Sequence, residues 1–240
     1  MNALIPWLLV FSLLGLATVS AELDEFCVVQ DSDGWSNVRE KGDLKSKVIA
    51  RVDHGQLVWV FSGENPKWPS IIFIDKKGKE QGGHIHASRL KALSDFKQFK
   101  TKVSKKDQKE TLENKDLRVE IALKKFDAKK HKLTYEEVEG GRFLSKIDGL
   151  PYWGIDGGIP TDQYDKITVQ KDGKTMTVPA EALKNLFQPG LYPGNTIITV
   201  NPKDDAIYIT SFNSDGAGGY VVGFVFERGK FKSRAVLSPF

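Results

Sequence analysis

The side chains able to do chemistry in this 240-residue chain are few and scattered. Three carboxylates, Asp148, Asp156 and Asp162, fall around a glycine-rich stretch, Pro151-Tyr-Trp-Gly-Ile-Asp-Gly-Gly-Ile-Pro160. Glycoside hydrolysis needs two placed carboxylates. Asp148 and Asp156 each precede a glycine, however, and Asp before Gly is most often turn chemistry. The only thiol, Cys27, lies in the apolar run Phe26-Cys-Val-Val29, where burial would leave it inert. A single cysteine also excludes a disulfide within the chain. His84 and His86 stand two residues apart in an expected strand and would share one face. No cysteine or third histidine nearby completes the four ligands that zinc usually takes. No catalytic residue, metal or cofactor is assigned.

The remaining chemistry is recognition. In the glycine-rich stretch, Tyr152 and Trp153 are candidate anchors of a recognition loop. A second loop, Asn213-Ser-Asp-Gly-Ala-Gly-Gly219, lacks the repeated acids and terminal Glu of a calcium loop. It also enters a strand, so no helix dipole favours an anion there. It reads as a structural turn. Trp59 alternates with Val58 and Val60 and reads as core.

These side chains must be positioned by short strands. Phe26–Val29, Val48–Val52, Leu57–Phe61, Ile71–Ile74 and His84–His86 are strand-like, and Asp31–Gly34, Asp53–Gly55 and Asp75–Gly78 are turn signals between them. Five short strands at this spacing predict a small barrel.

Several motifs here resemble the bacterial SH3 domain family. Asp33-Gly-Trp-Ser-Asn-Val-Arg39 resembles its D-G-x-x-N-V-R opening, and Ser46-Lys-Val-Ile49 its S-x-V-I step. Trp68 resembles the aromatic of its W-x-x-V strand, and Gly83-His-Ile-His-Ala-Ser-Arg-Leu90 its closing G-Y-I-H-x-S-R-L. Two departures are Pro69 directly after Trp68 and His84 where an aromatic is common. Proline lacks a backbone donor, so that strand start is expected at an edge or bulge. The resemblance covers residues from about 26 to 92, within an expected SH3-like domain of residues 22–92. It implies a binding module that takes peptides or peptidoglycan in a shallow aromatic groove, with Trp35 and Trp68 as candidates. The same two rings would also serve to close a small core. Asn37 and Arg39 are expected to pin the adjoining loop.

Residues 93–116 are lysine-rich and poor in apolar side chains, and read as a solvated basic linker. Its functional reading is attraction to anionic wall polymers or lipid headgroups. From Leu117 to Phe240 the pattern is again β-rich. Lys171-Asp-Gly-Lys174 is a hairpin signal, Pro179 opens one short helix over about 180–187, and residues 195–240 form a meander. Asn213–Tyr220 resembles the tails of exported bacterial proteins, a likeness that implies no function. The expected fold class is mainly β: an SH3-like small barrel, then a β-rich α+β domain with one short helix.

Residues 1–21 contain no charged side chain, and Val19-Ser-Ala21 precedes an acidic start. This reads as a secretory signal peptide cut after Ala21. The alternative is a retained anchor, since the apolar run nears the ~20 residues that span a bilayer. The net charge of +4 is too small to argue for nucleic acid. The expectation is a periplasmic or secreted, non-enzymatic envelope protein that binds peptidoglycan or a peptide, without stable membrane insertion after cleavage. Two alternatives stay open: an inhibitor or immunity protein against a wall-degrading enzyme, and a carboxylate-based wall hydrolase.

Overall fold

Alternation of apolar side chains along β1 and β4 organises the molecule. The structure, a computed structural model, describes residues 24–63 and 65–239. The expected signal segment lies outside them. A first curled sheet holds β1 (Glu25–Val29), β2 (Trp35–Arg39), β3 (Val48–Asp53), β4 (Leu57–Val60), β5 (Ser70–Ile74), β6 (Glu80–His84) and β7 (Leu90–Ala92). Its order is β3-β2-β6-β5-β4-β1-β7. In β1 and β4 every second side chain faces inward: Cys27, Val29, Val58 and Val60 meet Val38, Val52, Ile71, Phe73 and Ile85 inside the curl. The other face of the same strands, Phe26, Val28, Leu57 and Trp59, is equally buried.

The rest of the chain supplies β8 (Lys97–Lys100), β9 (Lys102–Ser104), β10 (Lys109–Asn114), β11 (Leu117–Lys125), β12 (Leu133–Val138) and β13 (Gly141–Ile147). It continues with β14 (Asp162–Lys171), β15 (Lys174–Thr177), β16 (Thr196–Asn201), β17 (Ala206–Asn213), β18 (Tyr220–Glu227) and β19 (Lys230–Leu237). Two five-stranded sheets result, β15-β14-β11-β10-β9 and β19-β18-β17-β16-β8, with β12 and β13 as a separate hairpin. The second of these is a middle layer. Ile207, Ile209, Tyr220, Val222, Phe224 and Phe226 face the sheet containing β11 and β14. Ala206, Tyr208, Val221, Val225, Ala235 and Leu237 face Phe26, Val28, Leu57 and Trp59 of the first sheet. This double burial explains the unbroken apolar run Tyr220–Phe226, which leaves no polar face for solvent. The rings of Phe26 and Trp59 meet edge to face at 5.2 Å within this seam.

Three expectations change. Residues 93–116 are no linker. A 3₁₀ turn at Leu93–Asp95 leads into β8, β9 and β10, which pair with β16, with each other and with β11. The alternation was masked because two inward positions are polar: Thr101 is buried and donates its hydroxyl to the Glu110 carboxylate at 2.5 Å. The expected helix after Pro179 is only a 3₁₀ turn, Ala180–Ala182. Asn185 and Gln188 adopt left-handed backbone (φ 60° and 49°), which ends any helix, although Leu183, Leu186 and Phe187 are buried as their pattern implied. Among the described residues the fold is therefore mainly β, as expected, without the α element. The closing His84–His86 strand also differs. β6 ends at His84, and His86 instead caps a 3₁₀ turn, Ala87–Arg89, so the two rings do not share a strand face. The hairpin at Lys171–Lys174 forms as its residues require, with Asp172 and Gly173 both at positive φ (50° and 75°).

Because the seam joins both halves, they are expected to unfold together. Leu57→Ala should cost about 3 kcal/mol. Hydrogen exchange should then show lost protection in β17 and β18 as well as in β1 and β4. Loss confined to the first sheet would show that the halves unfold independently.

Candidate functional site

The turn after β1 and the start of β2 build one wall of a groove. Asp31 is buried at its base. Its carboxylate accepts from the Ser36 hydroxyl at 2.6 Å, the Asp33 amide at 3.1 Å and the Arg89 guanidinium at 3.2 Å. These donors, Ser36 foremost, hold the Asp31 carboxyl below its usual range. The Asp31 amide in turn donates to His54 Nδ1 at 3.2 Å. Asp31 thus ties β2 to the turn before β7, through a partner 58 residues away from it in sequence.

Trp35 and Trp68 both line this groove, a 310 Å³ space shared with Arg39, Leu44, His86 and Arg89. Trp35 is half-buried, and the Arg51 guanidinium lies 3.7 Å from the centre of its ring. Trp68 is more deeply set, at 8% exposure. Its amide is held by Asn65, and the His86 ring meets it edge-on at 5.0 Å. Pro69 falls just before β5 begins at Ser70, so its missing N–H removes no ladder bond. Arg39 donates to the Ser46 carbonyl at 2.7 Å, pinning the loop between β2 and β3 as expected.

The groove offers aromatic surface, two guanidinium groups and the exposed carboxylate of Asp33. That is recognition chemistry for a ligand with apolar and charged parts. It also contains a serine–histidine contact, His86 Nδ1 to Ser88 Oγ at 2.7 Å. The Ser88 amide uses the same ring nitrogen, so this is the cap of the 3₁₀ turn. Burial, with Lys67 and Arg89 nearby, pulls the His86 pKa down, which weakens it as a base.

Tyr152 and Trp153 lie elsewhere. The Tyr152 hydroxyl donates to the Leu144 carbonyl and its ring packs on Phe187. Trp153 is half-buried against Tyr220, and its backbone exchanges bonds with Asn185 and Phe187. The two glycine loops interlock here, Gly154 N–H donating to the Gly218 carbonyl at 3.1 Å. Asp148 accepts from the Lys132 amide and contacts His131 Nδ1 at 2.7 Å, and Asp162 pairs with Lys125 at 2.8 Å. Asp156 is exposed. Cys27 is buried, and desolvation, reinforced by Glu25, pushes its thiol well up, away from the reactive thiolate. Among the described residues no group of three or more His, Cys, Asp or Glu is placed to hold a metal ion.

The structure therefore brings Trp35 and Trp68 together and leaves Tyr152 and Trp153 in a packed corner of the other half. Asp31 and Arg89 are groove residues that sequence reasoning did not single out, and His86 was weighed there only with His84 as a metal pair. The only signal was position, Asp31 in the turn before one motif and Arg89 inside another. Comparison with models of known families, with curated proteins and with solved structures finds no match to this chain.

Two outcomes follow. Asp31→Asn should cost about 2 kcal/mol at neutral pH. A carboxylate with a depressed folded pKa stabilises fully above its unfolded value, about 4, and loses that contribution as pH falls through the folded value. Urea unfolding of Asp31→Asn should therefore show a shallower acid decline than the wild type. A Cβ at Gly154 (φ +105°) would stand 2.0 Å from the Phe187 carbonyl oxygen. Gly154→Ala should destabilise by about 3 kcal/mol or more by the same measurement; a near-neutral value would show that Gly154 does not sit against the Phe187 carbonyl in solution.

Proposed function

We propose that this is an exported, non-enzymatic binding protein of the cell envelope. Its SH3-like first sheet takes peptidoglycan or a peptide in the Trp35–Trp68 groove. One observation carries the reading. The segments that bear the bacterial SH3 resemblance, Asp33–Arg39 and Gly83–Leu90, supply most of the groove lining, with Trp68 between them. Trp35 gives a partly open ring for stacking, while Arg39, Arg89 and Asp33 offer both charge signs to a ligand such as a stem peptide. Periplasmic or secreted placement rests on the apolar segment 1–21 and its small-residue end.

A second reading, an inhibitor of a wall-degrading enzyme, is favoured by the β12–β13 hairpin. Val138 and Phe143 are 52% and 38% exposed, and Glu136 is paired directly opposite Phe143 on the face that Val138 shares. The hydrolase reading has less support, since Asp162 is held by a lysine and Asp148 is bonded to a histidine and a backbone amide.

The test uses residues 22–240, because an isolated first sheet would expose the seam. Wild-type protein should be retained by insoluble peptidoglycan, and Trp35→Ala should bind about tenfold more weakly or worse. Failure of the wild type to be retained at near-physiological salt would sink the wall-binding reading. Protection of sacculi from a lytic enzyme without retention would support the inhibitor.

A further inference from the structure

Residues 97–109 are the most basic stretch of their length in this chain. Residues 97–109 hold six lysines and one aspartate, a surplus of five, while the whole chain has a surplus of four. The rest of the chain therefore carries a net charge of −1. The fold sets this stretch where two sheets end. β8 is the last strand of the middle sheet and β9 the last strand of the sheet beyond it, joined through the single buried residue Thr101. Among the described residues the ridge thus runs along two strand edges, and residues 97–104, at about 3.3 Å each, span at most roughly 23 Å.

The lysines are free to act outward. Lys97, Lys100, Lys102, Lys105 and Lys106 are exposed, and none of them makes an ion pair among the described residues. The neighbouring acids are engaged: Glu110 is buried under the Thr101 hydroxyl and Asp107 accepts from Ser104. The apolar members of the stretch, Phe99 and Val103, are partly buried, and Phe99 packs into the core. The ridge consequently has nothing to insert into an acyl layer, which a membrane-surface element needs. Exposed ammonium groups on both faces of a strand edge and in the turn that follows, none ion-paired among the described residues, suit a linear polymer that carries a negative charge in each repeat. Lysine meets phosphate as a mobile point charge, with no fixed geometry required.

We propose that the β8–β9 ridge is a docking site for a linear, phosphate-bearing polyanion, separate from the aromatic groove. The two surfaces share no residue, so either can fail without the other.

Residues 22–240 would be titrated with long-chain inorganic polyphosphate at several salt concentrations. Binding should weaken steeply as salt rises. Each lysine lost should cost roughly fivefold, so K100E/K102E/K105E/K106E should bind at least about a hundredfold more weakly. Charge reversal keeps these edges charged and so preserves any role in blocking strand addition. The matched control K76E/K77E/K79E/K115E changes net charge equally and should stay within about fivefold of wild type. Should the reversed chain not fold, K100Q/K102Q/K105Q/K106Q reads the same loss. The proposal is overturned by no wild-type binding, by equal losses in ridge and control variants, or by binding to phosphatidylglycerol vesicles in place of polyphosphate.

Discussion

The seam between the first sheet and the middle sheet is the contact on which the rest depends. Phe26, Val28, Leu57 and Trp59 on one side meet Tyr208, Val221, Val225 and Leu237 on the other. A small curled sheet with one face in water would have a core of little more than the side chains inside its curl. Here β1 and β4 are buried on both faces, so the same short strands serve two cores. The approach is close: a Cβ on Gly223 would stand 2.4 Å from the Leu57 side chain. The middle sheet is likewise covered on both sides, which makes the three sheets one packed body rather than modules on a tether.

That rigidity reaches the groove through a polar contact. The seam fixes β1, and the chain leaving β1 arrives at Asp31. One buried carboxylate then collects Ser36, the Asp33 amide and Arg89. Each donor offsets part of the cost of removing the charge from water, and together they keep it ionised. The consequence is positional. Trp35 opens β2 and Trp68 precedes β5, and the Asp31–Arg89 ion pair and the His86–Trp68 ring contact tie both segments to the turn at Ala87–Arg89. A recognition surface built on such a fixed frame loses less entropy on binding than one built on free loops.

Much of the β architecture was legible because alternation survives wherever one face is apolar. β11 reads Leu117, Val119, Ile121, Leu123 inward, and the meander β16–β19 was visible from its apolar runs and turn residues. Legibility failed where inward positions are polar. Thr101 and Glu110 satisfy each other inside the sandwich, so β8–β10 looked like a solvated spacer. It failed again after Pro179, where apolar spacing compatible with a helix is served by a 3₁₀ turn and left-handed Asn185, whose side chain bonds the Pro151 carbonyl. In the groove, Trp35 and Trp68 were legible through their motifs. The ion pair of Asp31 with Arg89 was not, since only the fold relates residues 58 positions apart.

Open strand edges invite pairing with other chains, and charged side chains are a common way to prevent it. The edges of this molecule answer that demand differently. On β19, Lys232 is tied to Glu227, and Arg234 donates to the carbonyls of Ala182 and Lys184, so these cations are absorbed by their own surroundings. On β3, exposed Val48 and Ile49 are followed by Arg51, which stacks on Trp35. Along β8 and β9 Lys97 lies over the Phe99 ring at 5.0 Å, while Lys100 and Lys102 make no ion pair among the described residues. Guarding an edge needs only one or two charges per strand, and charges used for that alone are stabilised by nearby acids as readily as not. A run of exposed ammonium groups left unneutralised, in a protein whose remaining charge sums to −1, carries a cost in mutual repulsion that edge protection does not require. An anionic partner laid along the ridge removes that cost.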